Sequence, residues 1–302
     1  MSRYNPTLLT PPKEEEVIYP YRRVWYSITF EVGILILIAV SFFIIFDVLT
    51  ISLPEIFNRV IIILLALAPT LLWLVFSLYR EYRVQEPRPQ LALVFIISIL
   101  AANAVGVPLL DNFLHVDDWL ALEDTLDRII GYTVTVGIVQ EGIKYTILRY
   151  IIWPQHLRTR LDSVAYAVAT AIGYATVLNL HFIAEGATSP SIVVYRVLFN
   201  VAIHITASVI MSYGLAELHF SPRNLFLLPT TLALAALSTG VAIPIRAGIV
   251  NAGFSLGFGV QNQLFGLLFS IGLIIVPMIA MILLYENAEN RQREAFNVAQ
   301  QE

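Results

Sequence analysis

The chain predicts an all-α membrane protein, a polytopic bundle of about eight transmembrane helices, and three observations carry that expectation. Hydrophobic residues make up 58% of the 302 positions and charged residues only 13%. That balance, with a mean hydropathy of +0.75, leaves too little polar surface for a water-soluble domain. Several apolar runs exceed the roughly 20 residues needed to cross about 30 Å of hydrocarbon. Inside lipid only helices and closed barrels satisfy every backbone polar group, and runs this long and continuously apolar are helical.

Taken in order, residues 1–26 form a polar, proline-containing tail that ends with Arg22-Arg23 just before the first apolar run. No short apolar segment leads to a small-residue cleavage site, so the first span reads as uncleaved. Spans follow at 27–49, 57–79, 90–109, 128–151, 162–185, 191–217, 224–245 and 261–285, the seventh interrupted by Pro229 and Pro244. They form a single transmembrane domain over 27–286, and 287–302 is a polar C-terminal tail.

Basic residues set the orientation. Arg3, Lys13, Arg22 and Arg23 lie in the first tail, and Arg80, Arg83 and Arg88 in the second loop. Arg149, Arg158 and Arg160 lie in the fourth loop, Arg223 in the sixth, and Arg291 and Arg293 in the last tail. The alternate loops carry only Arg59, Arg128 and Arg246, and the one around Asp111, Asp117 and Asp118 is acidic. Every loop agrees with both termini on the cytoplasmic side of a membrane that reads as a bacterial cytoplasmic membrane. Cysteine is absent, which removes disulfides, thiolate nucleophiles and thiolate metal sites. A net charge of -4 with no basic, aromatic-studded patch argues against nucleic acid as a partner. Lipids and the helices of other membrane proteins remain as partners.

The fourth span holds ionisable groups where hydrocarbon is expected, in Gln140-Glu141-Gly142-Ile143-Lys144. A charge at that depth costs at least a few kcal/mol and is rarely left without a partner or a task. At i and i+3, Glu141 and Lys144 share a helix face and can neutralise one another. Span six places Arg196, Asn200, His204, Ser208 and Ser212 four residues apart, and span five carries Tyr174, Asn179, His181 and Glu185. Three consecutive helices thus turn polar faces inward. At about 1.5 Å per residue, Glu141 and His204 lie roughly 20 Å from the outer helix ends and Asn179 about 10 Å, so tilt must absorb a depth mismatch. A histidine opposite a glutamate on a neighbouring helix offers an acid/base pair or two metal ligands. Ala165, Ala169 and Gly173 line one face of span five, a close-packing stripe. Gly253-Phe254-Ser255-Leu256-Gly257 matches a nucleophile-elbow string but lacks the strand–turn–helix context, and there is no H-E-x-x-H zinc helix.

The order of these features resembles the PrsW family of intramembrane peptidases, related to the prenyl-endopeptidase-like membrane proteases. The family carries E-E-x-x-K on one helix, then a helix opened by Asp that runs to G-x-G-F-x-x-x-E-N, then a later histidine ahead of a small-residue G-Y-G. The matching positions here are Gln140-Glu141-Gly142-Ile143-Lys144, then Asp162 through Gly173-Tyr174-Ala175-Thr176-Val177-Leu178-Asn179, then His204 and Tyr213-Gly214. The likeness spans about 128–217. Two family glutamates are replaced, by Gln140 and Leu178: an amide has no useful basicity and leucine has no ligand atom.

By that resemblance Glu141, Lys144, Asn179 and His204 are the candidate catalytic residues, with Gln140, His181 and Arg196 as contributors. No cofactor is expected; if a divalent metal such as zinc is held, His181, about one turn beyond Leu178, can stand in for the lost glutamate by geometry, and Glu141, His181 and His204 then make a two-histidine, one-carboxylate ligand set. The reading is a degenerate intramembrane peptidase that serves as a membrane scaffold or holds a partner's transmembrane helix. An active intramembrane protease is the alternative. A transporter is disfavoured, because no broken-helix pair recurs in two halves.

Overall fold

The computed structural model describes residues 24–51, 53–83, 87–120, 123–186, 189–221, 225–250 and 263–301, with the side chains of 117, 125, 246–250, 263–268 and 292–301 left aside. The Gly253–Gly257 string and most of the first tail lie outside the described residues. In chain order the helices are α1 (Val24–Val48), α2 (Glu55–Glu81), α3 (Leu91–Phe113), the short α4 (Val116–Leu120), α5 (125–152), α6 (Arg160–Ala184), α7 (Pro190–Phe220), α8 (Leu227–Val250) and α9 (Gln263–Gln301). Among the described residues seven helices are long and apolar enough to cross a membrane: all but α4 and α5. The fourth expected span is helical throughout, but Glu141 and Lys144 on α5 dilute its apolarity. Expected spans and observed helices otherwise agree to within a few residues, except that α9 continues past the expected end at 285 through the polar tail to Gln301; α8 runs through Pro244 without a break. Pro229 lies in the first turn of α8, where a missing N–H leaves no hydrogen bond unmade.

Burial sorts the helices into a centre and a rim. In their most apolar stretches α7 is 78% buried and α6 67%, whereas α1 is 22% and α9 17%. A helix that is apolar all round yet mostly exposed belongs against lipid, so α1, α2, α3 and α9 form the rim around α6 and α7. The rim residues Leu37, Ile56, Leu100 and Val276 all present bare apolar side chains.

Small residues bring the central helices close, as in other membrane bundles. A Cβ added at Gly173 of α6 would sit 2.6 Å from the Phe95 carbonyl of α3, so the stripe expected there seats α6 on α3. Gly137 of α5 lies against the Ala236 backbone, and Gly240 of α8 against Thr133. These two contacts bring α5 and α8 together at the depth of the polar groups.

One end of the bundle is tied by buried ion pairs. Thr159 and Asp162 cap α6 reciprocally, Asp162 Oδ2 accepting from the Thr159 N–H at 2.9 Å. Asp162 Oδ1 also accepts from Arg88 Nε at 2.7 Å, and Arg88 Nη1 pairs with Glu81 at 2.8 Å. Burial by itself pulls the Arg88 guanidinium down, but the charges of Asp162 and Glu81 outweigh it and its pKa is raised, so the arginine stays charged. Arg160 Nε pairs with Glu217 of α7 at 2.6 Å. At the same end the Tyr285 hydroxyl of α9 meets Ser163 and Ser212 at 3.0 and 2.9 Å. The ends of α2 and α7 and the start of α6 are thereby clamped.

Candidate functional site

Two irregular turns of the wide, five-residue type bracket the ionisable turn of α5: Thr133–Gly137 before it and Leu148–Ile152 after it. Such turns rotate the face a helix presents and recur near functional positions. Between them Glu141 and Lys144 point inward together and are 1% and 0% exposed. Lys144 Nζ lies 2.6 Å from Glu141 Oε1, and the same nitrogen lies 3.2 Å from His204 Nδ1 of α7. The lysine thus bridges the glutamate of α5 to the histidine of α7.

Further groups complete the cluster. Thr239 of α8 donates to Glu141 Oε1 at 2.8 Å. The Tyr174 ring of α6 lies 5.7 Å from the His204 ring, and Lys144 Nζ lies 5.8 Å from the Tyr174 ring centre, within reach of a cation–π attraction. Asn200 Nδ2, one turn before His204 on α7, donates to Asn179 Oδ1 at 2.9 Å. That bond ties Asn179 to a residue that lines the same cavity as His204. Glu141 Oε2, Asn179 Nδ2, the Tyr174 hydroxyl and Ser208 Oγ are buried with no hydrogen-bond partner among the described residues. Buried polar atoms of this kind mark strain or a binding role more often than ordinary core packing.

Beside the cluster is a small cavity of about 30 Å³, room enough for water. Gln140, Leu178, Asn200, His204, Thr239 and Ser270 are among the residues of its wall, and among the described residues none of the wall is an aspartate or a glutamate. The two positions at which the sequence departs from the family motif, Gln140 and Leu178, therefore flank the histidine in three dimensions although they lie on different helices.

Not every predicted site residue arrives. His181 faces away from the cluster: its Nε2 lies 2.9 Å from Asp111 of α3 and 3.2 Å from Glu185, and the side chain is 41% exposed. The expected ligand set of Glu141, His181 and His204 does not form, because His181 sits at the end of α6 among the charges of the α3 terminus. Arg196 stacks its guanidinium 3.8 Å over Phe182, about 12 Å along α7 from His204. Thr239 was not foreseen; the available signal was the Ser238-Thr239 pair midway along a mostly apolar span.

Three comparisons bear on identity. The profile of the PrsW family intramembrane metalloproteases matches residues 86–282, well over half of the chain. The chain is also 28% identical over 160 residues to the Protease PrsW of Clostridioides difficile (strain 630), across 52% of this chain and 66% of that protein. No solved structure matches the chain. A metalloprotease family implies a metal, and the residues present do not fit one. A catalytic zinc takes three protein ligands, and among the described residues no group of three histidine, aspartate or glutamate side chains is arranged to hold a metal ion. The nearest candidates are already engaged by a cation: Glu141 Oε1 and His204 Nδ1 both face the Lys144 ammonium.

Proposed function

The chain belongs to the PrsW family of intramembrane metalloproteases, and we propose that it is a member whose hydrolytic centre has become a structural and binding element. One observation carries this reading: the wall of the His204 cavity holds an amide at Gln140 and an alkyl chain at Leu178 and, among the described residues, no carboxylate. Hydrolysis needs a base to activate water or a metal to do so. Here one carboxylate, Glu141, is spent on the lysine, and the histidine is shared with the same lysine. The polar interior then serves the membrane scaffold, with the cavity available to a polar group on a partner's transmembrane segment. Metal content tests the first half. Purified chain saturated with zinc and desalted is expected to carry far less than one equivalent, and Gln140→Glu with Leu178→Glu to raise this in a His204-dependent manner. Near-stoichiometric zinc on the unmodified chain, lost with His204→Ala, would overturn the reading.

We further infer that both termini lie in the cytoplasm, in a bacterial cytoplasmic membrane. The support is the arginine distribution together with the helix ends: Arg88, Arg158 and Arg160 gather at one end of the bundle with Glu81 and Glu217. Because the chain has no cysteine, single cysteines report cleanly. Asn5→Cys and Gln300→Cys are expected to resist a membrane-impermeant maleimide in intact cells, and Glu123→Cys to react. The reverse pattern would invert the topology.

A further inference from the structure

At the clamped end of the bundle α1 and α9 meet, with the Trp25 and Tyr285 rings 5.7 Å apart. Toward Phe43 and Ile271 a crevice of about 460 Å³ opens between them, with α7 as its floor. Its lining is apolar throughout except for Tyr195, whose ring lies 6.5 Å from Phe43. Ala39 and Ala202 are small, buried residues of the wall, and their size leaves the depth open. Phe199 of α7 lines both this crevice and the His204 cavity. No other described residue is common to the two.

We propose that the crevice binds one acyl chain of a membrane phospholipid, and that the Phe199 ring is the partition between that chain and the His204 cavity. Dimensions choose the occupant. The volume falls in the small-molecule range of about 300–1,000 Å³. Along α1 the crevice runs from Val32 to Phe43, about 16 Å at the helical rise. That is about half of the 30 Å hydrocarbon thickness, the depth of one leaflet, whereas a transmembrane partner helix would call for a face along the full thickness. The crevice is also continuous with the lipid-facing surface: Ile36, Val40 and Phe43 of α1 and Ile271 and Ile275 of α9 are exposed. Tyr195 stands at the end nearer the membrane surface, the depth at which an amphipathic ring is stable. The bound chain fills the lateral approach to the cavity, so lipid and a partner segment compete for entry whether or not the cavity hydrolyses anything.

The full chain, reconstituted in vesicles of phosphatidylcholine brominated at mid-chain and then extracted into detergent, tests this by native mass spectrometry and tryptophan emission. One retained lipid is expected. Ala202→Phe and Ala39→Phe fill the crevice from different helices, and each is expected to reduce the retained lipid by about tenfold or more, with helical content and elution unchanged. Phe199→Trp is expected to add emission that the retained lipid quenches and that is unquenched in the Ala202→Phe background. Unchanged retention in both folded alanine variants would overturn the proposal, as would retained lipid with unquenched Trp emission at 199. A dimer dissociated by the same substitutions would assign the crevice to a second copy instead. If neither alanine variant folds, the Phe199→Trp quenching decides alone.

Discussion

Reconstituted with a single-span substrate, the unmodified chain is expected to show no cleavage above background, and Gln140→Glu combined with Leu178→Glu is the smallest change expected to recover any. Both positions line the cavity that holds His204, so the restored carboxylates would flank the histidine from α5 and α6. Each single restoration is expected to fall short, because one carboxylate beside His204 makes only two of the three protein ligands that a catalytic zinc takes. General-base assistance typically contributes about 10²- to 10⁴-fold, so the assay must follow turnover over that range. Glu141→Ala and His204→Ala serve as controls, made in the restored background as well as in the parent. Robust cleavage by the unmodified chain that disappears with either control would refute degeneracy. Cleavage insensitive to both would identify a contaminating protease. The restored variant also places two more ionisable groups in a buried wall, which is costly without a counter-charge, so its folded yield must be measured beside its activity.

Lys144→Met is expected to destabilise the bundle by about 3–5 kcal/mol, the usual cost of breaking a buried ion pair from one side. The loss arises from what remains: Glu141 stays 1% exposed with only the Thr239 hydroxyl as a donor. Glu141→Leu is expected to cost a similar amount, because Lys144 is then left with no counter-charge, only His204 and the Tyr174 ring beside it. Removing both partners together is expected to be milder than either single change, since a well-packed apolar pair can replace a buried ion pair with little loss. A double-mutant cycle on unfolding in detergent or bicelles reads this directly. Strictly additive single effects below about 1 kcal/mol, the range of exposed pairs, would show that the pair is not the fastener described here. A loss of fold in Lys144→Met that Glu141→Leu rescues would support it most strongly.

The two experiments separate chemistry from architecture. Lys144 is central to the second and only indirect in the first, because its ammonium occupies the two groups that a hydrolytic centre would need free. A chain can therefore pass the stability test and fail the proteolysis test, which is the combination the degenerate reading requires.

Much of this was open to the sequence. Continuous apolar runs determine membrane helices because an unpaired peptide group in hydrocarbon costs several kcal/mol, and the helices observed lie within a few residues of those runs, except α9, which continues through the polar tail to Gln301. The cost of a buried charge pointed to Glu141 and Lys144, and their i, i+3 spacing to each other, so the pair at 2.6 Å follows from one segment alone. Gln140 and Leu178 were visible as departures from a family motif. What a single helix cannot specify is its neighbour. Periodicity says which residues share a face, but the partner of that face is chosen by packing over long sequence separations. Gly137 and Gly240 let α5 and α8 approach, and only that approach brings Thr239 to Glu141. His181 shares a stripe with Tyr174 on α6 but lies about two turns further toward the helix end, where Asp111 and Glu185 offer it water-accessible charges. The sequence alone determined a membrane bundle with a polar seam. The tertiary structure decided which polar groups meet, that a lysine stands between the glutamate and the histidine, and that one phenylalanine lines both their cavity and the apolar crevice.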